Sequence, residues 1–172
     1  MRAHDQRGNV VYSKVKLFGH PLHPMLVAYP IAFYAATLAG FAIYAVTNAH
    51  FWLRLTVAAN AAAVGMAAIA AVPGFIDWAF GIPRGTRAKV HGLRHLILNV
   101  GSLTLFVISL LLYLDEWTES SDASPTLGLI LAGTGVLLNI LSGFHGWMLI
   151  QDDHVGVRLT PEQERLESDG FR

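Results

Sequence analysis

Four long apolar runs limit what this chain can fold into. Each run supplies the roughly 20 residues that a helix needs to cross about 30 Å of hydrocarbon. Lipid offers no water to unpaired backbone groups, so each run must be helical. Only 14% of the residues are charged, against about 25% in soluble domains. The predicted membrane spans are residues 24–46, 51–80, 90–114 and 126–150.

Short connections separate these spans and make successive helices antiparallel. The sequence therefore predicts an all-α integral membrane protein, an up-down-up-down four-helix bundle over residues 19–157. A polar segment, 1–18, precedes the bundle, and a tail, 158–172, follows it. Thr160 and Gln163 form a capping-box pattern that predicts a short helix in this tail. No internal repeat is evident beyond the helical hairpins.

The basic residues indicate how the bundle is oriented. An even number of spans places the N-terminus, the loop 81–89 and the tail on one side of the membrane. Of the twelve Lys and Arg residues, all except Arg54 lie on that side. Cytoplasmic loops carry an excess of Lys and Arg, so we expect both termini to be cytoplasmic. The net charge of zero predicts no nucleic-acid partner.

Histidines are concentrated at this same predicted end. Ionisable side chains are costly within a membrane and mark functional sites there. The cluster is compatible with a bound haem, a metal ion or a group of proton-active side chains. The chain has no cysteine, which excludes thiolate metal sites and covalently attached c-type haem. Five of the eight histidines belong to the cluster: His20, His23, His91, His95 and His145.

The third span carries a polar stripe. His91, His95, Asn99 and Ser102 follow one another at spacings of four, four and three residues, which places them on one helix face. Such a stripe should face the bundle interior. Asn99 and Ser102 are expected to join helices by hydrogen bonds. His95 could equally be a ligand or a structural residue.

Two further features lie at the same end. His20 and His23 are each followed by proline, which should hold both imidazoles rigidly. Asp77 follows Pro73, a residue expected to kink the second span. Its carboxylate could accept a hydrogen bond from a histidine or bind a metal. Alternatively, it could pair with a basic residue of the next loop, either Arg84 or Arg87.

The fourth span is expected to pack closely through small residues. Gly135, Asn139 and Gly143 recur every four residues. His145 lies about 120° around the helix from Asn139. We therefore expect His145 to point away from the core.

This set of side chains allows two kinds of cofactor. Haem b needs two axial histidines from different helices, and His23 with His95 is a suitable pair. His95 with His145 matches better in depth but worse in facing. A divalent metal could instead use three of His20, His23, Asp77 and His95. No nucleophile–base arrangement or phosphate-binding loop is present, so no catalytic residue is assigned.

The chain resembles the domain-of-unknown-function 2231 (DUF2231) family of small bacterial membrane proteins. The resemblance rests on the run His-Pro-Leu-His-Pro at 20–24, on Asp77, on His95-x-x-x-Asn99 and on His154-Val155, and it extends from about 19 to 157. It implies a location in the bacterial cytoplasmic (inner) membrane. Some relatives are joined to Rieske-type iron–sulfur domains, which implies a redox setting. The site residues that it implies are His20, His23, Asp77, His95, Asn99 and His154.

Three functional hypotheses follow. The first is a small redox subunit in the lipid bilayer that binds haem b and exchanges electrons with a partner protein or a quinone. In it, His23 and His95 are the ligands, and His20, Asp77, Asn99 and His154 surround them. The second is a structural or assembly subunit without a cofactor, whose histidines form hydrogen bonds. The third is a proton or metal-ion transporter, which would need a homo-oligomer because four helices make only a small pathway.

Overall fold

The computed structural model describes residues 13–117, 123–157 and 159–169. The first twelve residues of the predicted N-terminal segment, residues 118–122 of the third connection, Arg158, and residues 170–172 of the tail lie outside the described residues. Within the described part, four helices are long and apolar enough to cross a membrane. The predicted all-α membrane bundle is confirmed.

The helices cover the four predicted spans. The first span is divided at Val27, and the second ends in a π-helical turn that follows Pro73. Pro73 itself lies inside the regular helix His50–Ile76. The elements are α1 (Leu22–Leu26), α2 (Ala28–Thr47), α3 (His50–Ile76), the π-helical turn Asp77–Gly81, α4 (Arg87–Tyr113), the 3₁₀ turn Leu114–Trp117, and α5 (Pro125–Gln151).

A small β-hairpin precedes the first helix. Strand β1 (Lys16–Leu17) pairs antiparallel with β2 (His20–Pro21). Phe18 and Gly19 connect them with φ values of 49° and 85°, as a two-residue hairpin turn of the I′ type requires. His20 therefore lies in a strand and is exposed, rather than at the start of a helix.

The tail helix is present as expected. Helix α6 (Pro161–Ser168) begins with proline at its first position. The backbone N–H of Thr160 donates to Gln163 Oε1 at 2.9 Å, and the N–H of Gln163 donates to Thr160 Oγ1 at 3.3 Å. This reciprocal pair is a capping box.

The four long helices pack in a square. Helix α2 contacts α3 and α5, and α4 contacts the same two helices. Helices α2 and α4 therefore face each other across the diagonal. The end at which both begin also carries the β-hairpin, the loop 82–86 and the segment 152–157, and we call it the histidine end.

The buried positions reveal an internal repeat of 72 residues that the sequence analysis did not detect. Tyr34 stacks on Phe106, with ring centroids 3.9 Å apart, and Phe41 meets Tyr113 edge to face at 4.9 Å. Both contacts join residues 72 positions apart. Contacts between equivalent residues are typical of a twofold axis, which here runs along the bundle between α2 and α4. The other buried pairs with this separation are 30/102, 37/109, 44/116, 56/128, 60/132, 63/135 and 70/142.

Candidate functional site

His23 and His95 meet on the twofold axis at the histidine end. They are themselves 72 positions apart, one from each half of the repeat. Their ring centroids are 6.2 Å apart and their planes are nearly perpendicular, at 88°. The structure thus brings together the two histidines that the sequence analysis paired.

Each of these imidazoles is held by a carbonyl group of a neighbouring helix. His23 Nδ1 lies 2.8 Å from the carbonyl oxygen of Ala70, and His95 Nδ1 lies 2.9 Å from that of Ser142. In both cases the partners are separated by 47 residues. A carbonyl only accepts, so Nδ1 carries the hydrogen and Nε2 keeps its lone pair.

A glycine makes room for each ring. A Cβ atom on Gly74 would lie 2.7 Å from His23 Nδ1, and one on Gly146 would lie 3.2 Å from His95 Nδ1. These glycines are again 72 positions apart, and each follows the carbonyl partner by four residues. Both histidines are thus held by the same pair of contacts, a carbonyl and a glycine, on α3 for His23 and on α5 for His95.

The surroundings of the two rings differ in polarity. The amide nitrogen of Asn99 lies 3.1 Å from His95 Nε2 and 2.6 Å from Ser142 Oγ. Asn139 donates to Asn99 Oδ1 at 3.3 Å. The polar network therefore joins α4 to α5 beside His95, as expected for Asn99. The equivalent positions beside His23 carry Val27, Ala67 and Ala70.

The carboxylate of Asp77 is directed toward the N-terminal segment. It accepts hydrogen bonds from Ser13 Oγ at 2.7 Å and from the backbone N–H groups of Lys14 at 2.6 Å and Val15 at 3.2 Å. These contacts replace the expected pairing with a histidine or a loop arginine. Asp77 anchors the chain just before the β-hairpin.

A second polar group lies at the same end. His91 Nδ1 is 2.7 Å from Asp153 Oδ2, and Asp153 is 1% exposed. His145 was expected to point away from the core. Instead, its ring lies beside His91, with the ring centroids 6.2 Å apart. His154 adopts a left-handed backbone conformation directly after this aspartate.

The sequence analysis missed Asp153. It lies beyond the last apolar residue, where an acidic side chain normally remains in water. The chain turns back there through hydrogen bonds from the N–H groups of Asp153 and Val155 to carbonyls of α5, and this turn buries the carboxylate. Its position directly before His154 was the available signal.

The four residues of the alternative metal site are not brought together. His20 is exposed on its strand, and Asp77 binds the N-terminal segment. Within residues 13–117, 123–157 and 159–169, no three His, Asp or Glu side chains are arranged to hold a metal ion.

Comparison with known proteins identifies one sequence family. The family described as a predicted membrane protein, DUF2231, matches residues 19–159. This range contains the four spans and both polar groups at the histidine end. Neither a curated protein nor a solved structure matches the chain.

Proposed function

We propose that this chain, which belongs to the DUF2231 family of predicted membrane proteins, is a small redox subunit of the membrane. In this proposal it binds haem b through His23 and His95. It exchanges electrons with a partner protein or with a quinone in the bilayer.

The main support for this proposal is that His23 and His95 occupy equivalent positions in the 72-residue repeat and lie close to each other. Haem b takes two axial imidazoles from different helices. His23 lies on α1 and His95 on α4, so two different helices would supply the ligands. The centroids of His23 and His95 are separated by 6.2 Å. The donor set also suits haem b, because two imidazoles are offered and the chain has no thiolate.

The chain's own residues would orient these ligands. The carbonyls of Ala70 and Ser142 hold the proton on Nδ1 of each ring, so Nε2 would be the atom that binds the iron. Asn99 contacts Nε2 of His95 in this structure, so its amide would have to move from this atom when haem binds. The haem would supply one-electron transfer between ferric and ferrous iron.

The proposed location is the bacterial cytoplasmic membrane, with both termini in the cytoplasm. The support is the distribution of basic residues among the described parts of the chain. Of the eight described, six lie in the first turns of α4 or in the segments beside it at the histidine end, Arg165 lies in the tail helix α6, and Arg54 lies at the opposite end. This asymmetry follows the positive-inside rule. The six are Lys14, Lys16, Arg84, Arg87, Lys89 and Arg94.

An absorption spectrum of the detergent-purified protein, produced with haem supplied, tests the cofactor. We expect a Soret band and sharp reduced α and β bands in the wild type, and loss of these bands in His23→Ala and in His95→Ala. His50→Ala, at the opposite end of the bundle, should keep them. A colourless wild type, or full retention of the bands in His95→Ala, would rule out this assignment.

A structural role is the second candidate, and the contact of Asn99 with His95 Nε2 favours it. That contact completes the hydrogen bonding of His95 without any cofactor. A structural role predicts that His95→Ala lowers the unfolding midpoint while the wild type shows no haem bands. The same spectra therefore separate the two candidates.

A further inference from the structure

A group of three titratable side chains lies at the histidine end, apart from the His23–His95 pair. We call His91, His145 and Asp153 the proton cluster. His91 donates from Nδ1 to Asp153 Oδ2 at 2.7 Å, which leaves the lone pair of its Nε2 available. The ring of His145 lies beside that of His91, with the planes tilted by 31°.

Two atoms of this cluster are buried without a hydrogen-bond partner in the part of the chain that the structure describes. They are Asp153 Oδ1 and His145 Nδ1. Buried polar atoms are almost always paired, and exceptions often mark a catalytic, proton-transfer or water site. His91 and Asp153 are 7% and 1% exposed, so a species that reaches them must be small.

The charges around the cluster favour a proton over a larger cation. Arg94 and His95, both on α4, lie within electrostatic range of His145. The fixed positive charge of Arg94 opposes a divalent ion about twice as strongly as it opposes a single proton at the same place. Nor do three described side chains form a metal-binding group. Asp153 supplies the negative charge that an imidazolium at His91 would need.

We propose that the proton cluster is a proton-exchange site between the aqueous phase and the bundle interior. A proton from water binds Nε2 of His145, the more exposed of the two rings. The His145 imidazolium then gives its Nδ1 proton to Nε2 of His91 and returns to its neutral form, while the proton on His91 Nδ1 stays hydrogen-bonded to Asp153. Rotation of an imidazole ring or a bridging water spans the separation between the rings. Asp153 is a positioning residue that fixes the orientation and tautomer of His91.

The test uses nitrogen-15 NMR of the full-length chain, labelled on histidine and placed in lipid nanodiscs without haem. His91→Gln and His145→Gln assign the ring signals. We expect His91 to be the Nδ1–H tautomer in the wild type, and protonation at His91 to shift the ring signals of His145. In Asp153→Asn, the amide can also donate, and we expect loss of the single Nδ1–H tautomer together with loss of the shift at His145.

Matched variants separate this role from simple packing. Asp152→Asn changes the neighbouring carboxylate, which is exposed, and should leave both signals unchanged. Asp153→Glu restores a carboxylate and should recover the Nδ1–H tautomer. An unchanged His91 tautomer in Asp153→Asn, or ring signals of His145 that do not respond to protonation at His91, would overturn the proposal. So would displacement of the His91 and His145 signals by stoichiometric Zn²⁺, which would make the cluster a metal site. None of these readouts depends on haem binding.

Discussion

Replacing Gly128 by valine should destabilise the bundle by about 3 kcal/mol, the upper part of the usual range for overpacking a core. A Cβ atom at this position would lie 2.6 and 2.7 Å from two ring carbons of Phe41. Phe41 is 1% exposed and packs against Tyr113, so its ring cannot easily move aside. The midpoint of unfolding by SDS, followed by circular dichroism, measures the effect.

Gly143 on the same helix provides the control for this substitution. It is exposed, and no atom lies within 4 Å of a Cβ placed there. Gly143→Val should therefore leave the unfolding midpoint nearly unchanged. Equal losses of stability for both variants would show that the effect comes from valine in the helix and not from the contact with Phe41.

Replacing Gly74 by valine should displace the imidazole ring of His23 from its position against α3. The new Cβ would lie 2.7 Å from both Cε1 and Nδ1 of the imidazole, so the ring must leave the carbonyl of Ala70. We expect loss of the Nδ1–H tautomer of His23 in histidine nitrogen-15 spectra. If haem is bound, the low-spin absorption bands should be lost as well, because an axial ligand has been displaced.

Substitutions at two other glycines provide comparisons for this result. Gly65, on the same helix, is exposed, and a Cβ added to it would have no atom within 4 Å, so Gly65→Val should leave His23 unchanged. Gly146→Val should perturb His95, but less severely, because the corresponding contacts are 3.2 Å. An unchanged Nδ1–H tautomer of His23 in Gly74→Val would contradict the proposed placement of the ring against Gly74 and the carbonyl of Ala70.

Part of the site could be predicted from the sequence and part could not. His23 and His95 could be recognised because each is an ionisable residue near the start of an apolar span. The contacts that hold the two rings could not be predicted. Ala70 contacts His23 through its backbone carbonyl, and Gly74 makes room for the ring because it has no side chain. A carbonyl is present at every residue, and only the packing of helices selects one as a partner.

The repeat itself was not visible in the residues. Equivalent buried positions carry different side chains, such as Tyr34 and Phe106, or Asn60 and Ala132. A core tolerates different side chains at equivalent positions when its neighbouring residues fill the remaining space. The 72-residue separation therefore became apparent only from burial and from ring contacts.

The sequence by itself determined the number of helices, their lengths and their membrane character, because these depend on local hydrophobicity and on the need to pair every backbone group in lipid. It also placed the histidines at one end. Only the tertiary structure decided which side chains meet: Asp77 turned to the N-terminal segment, and Asp153 folded back onto His91. Those choices depend on helix rotation and on the path of the chain between helices. Both are set by contacts between residues far apart in sequence.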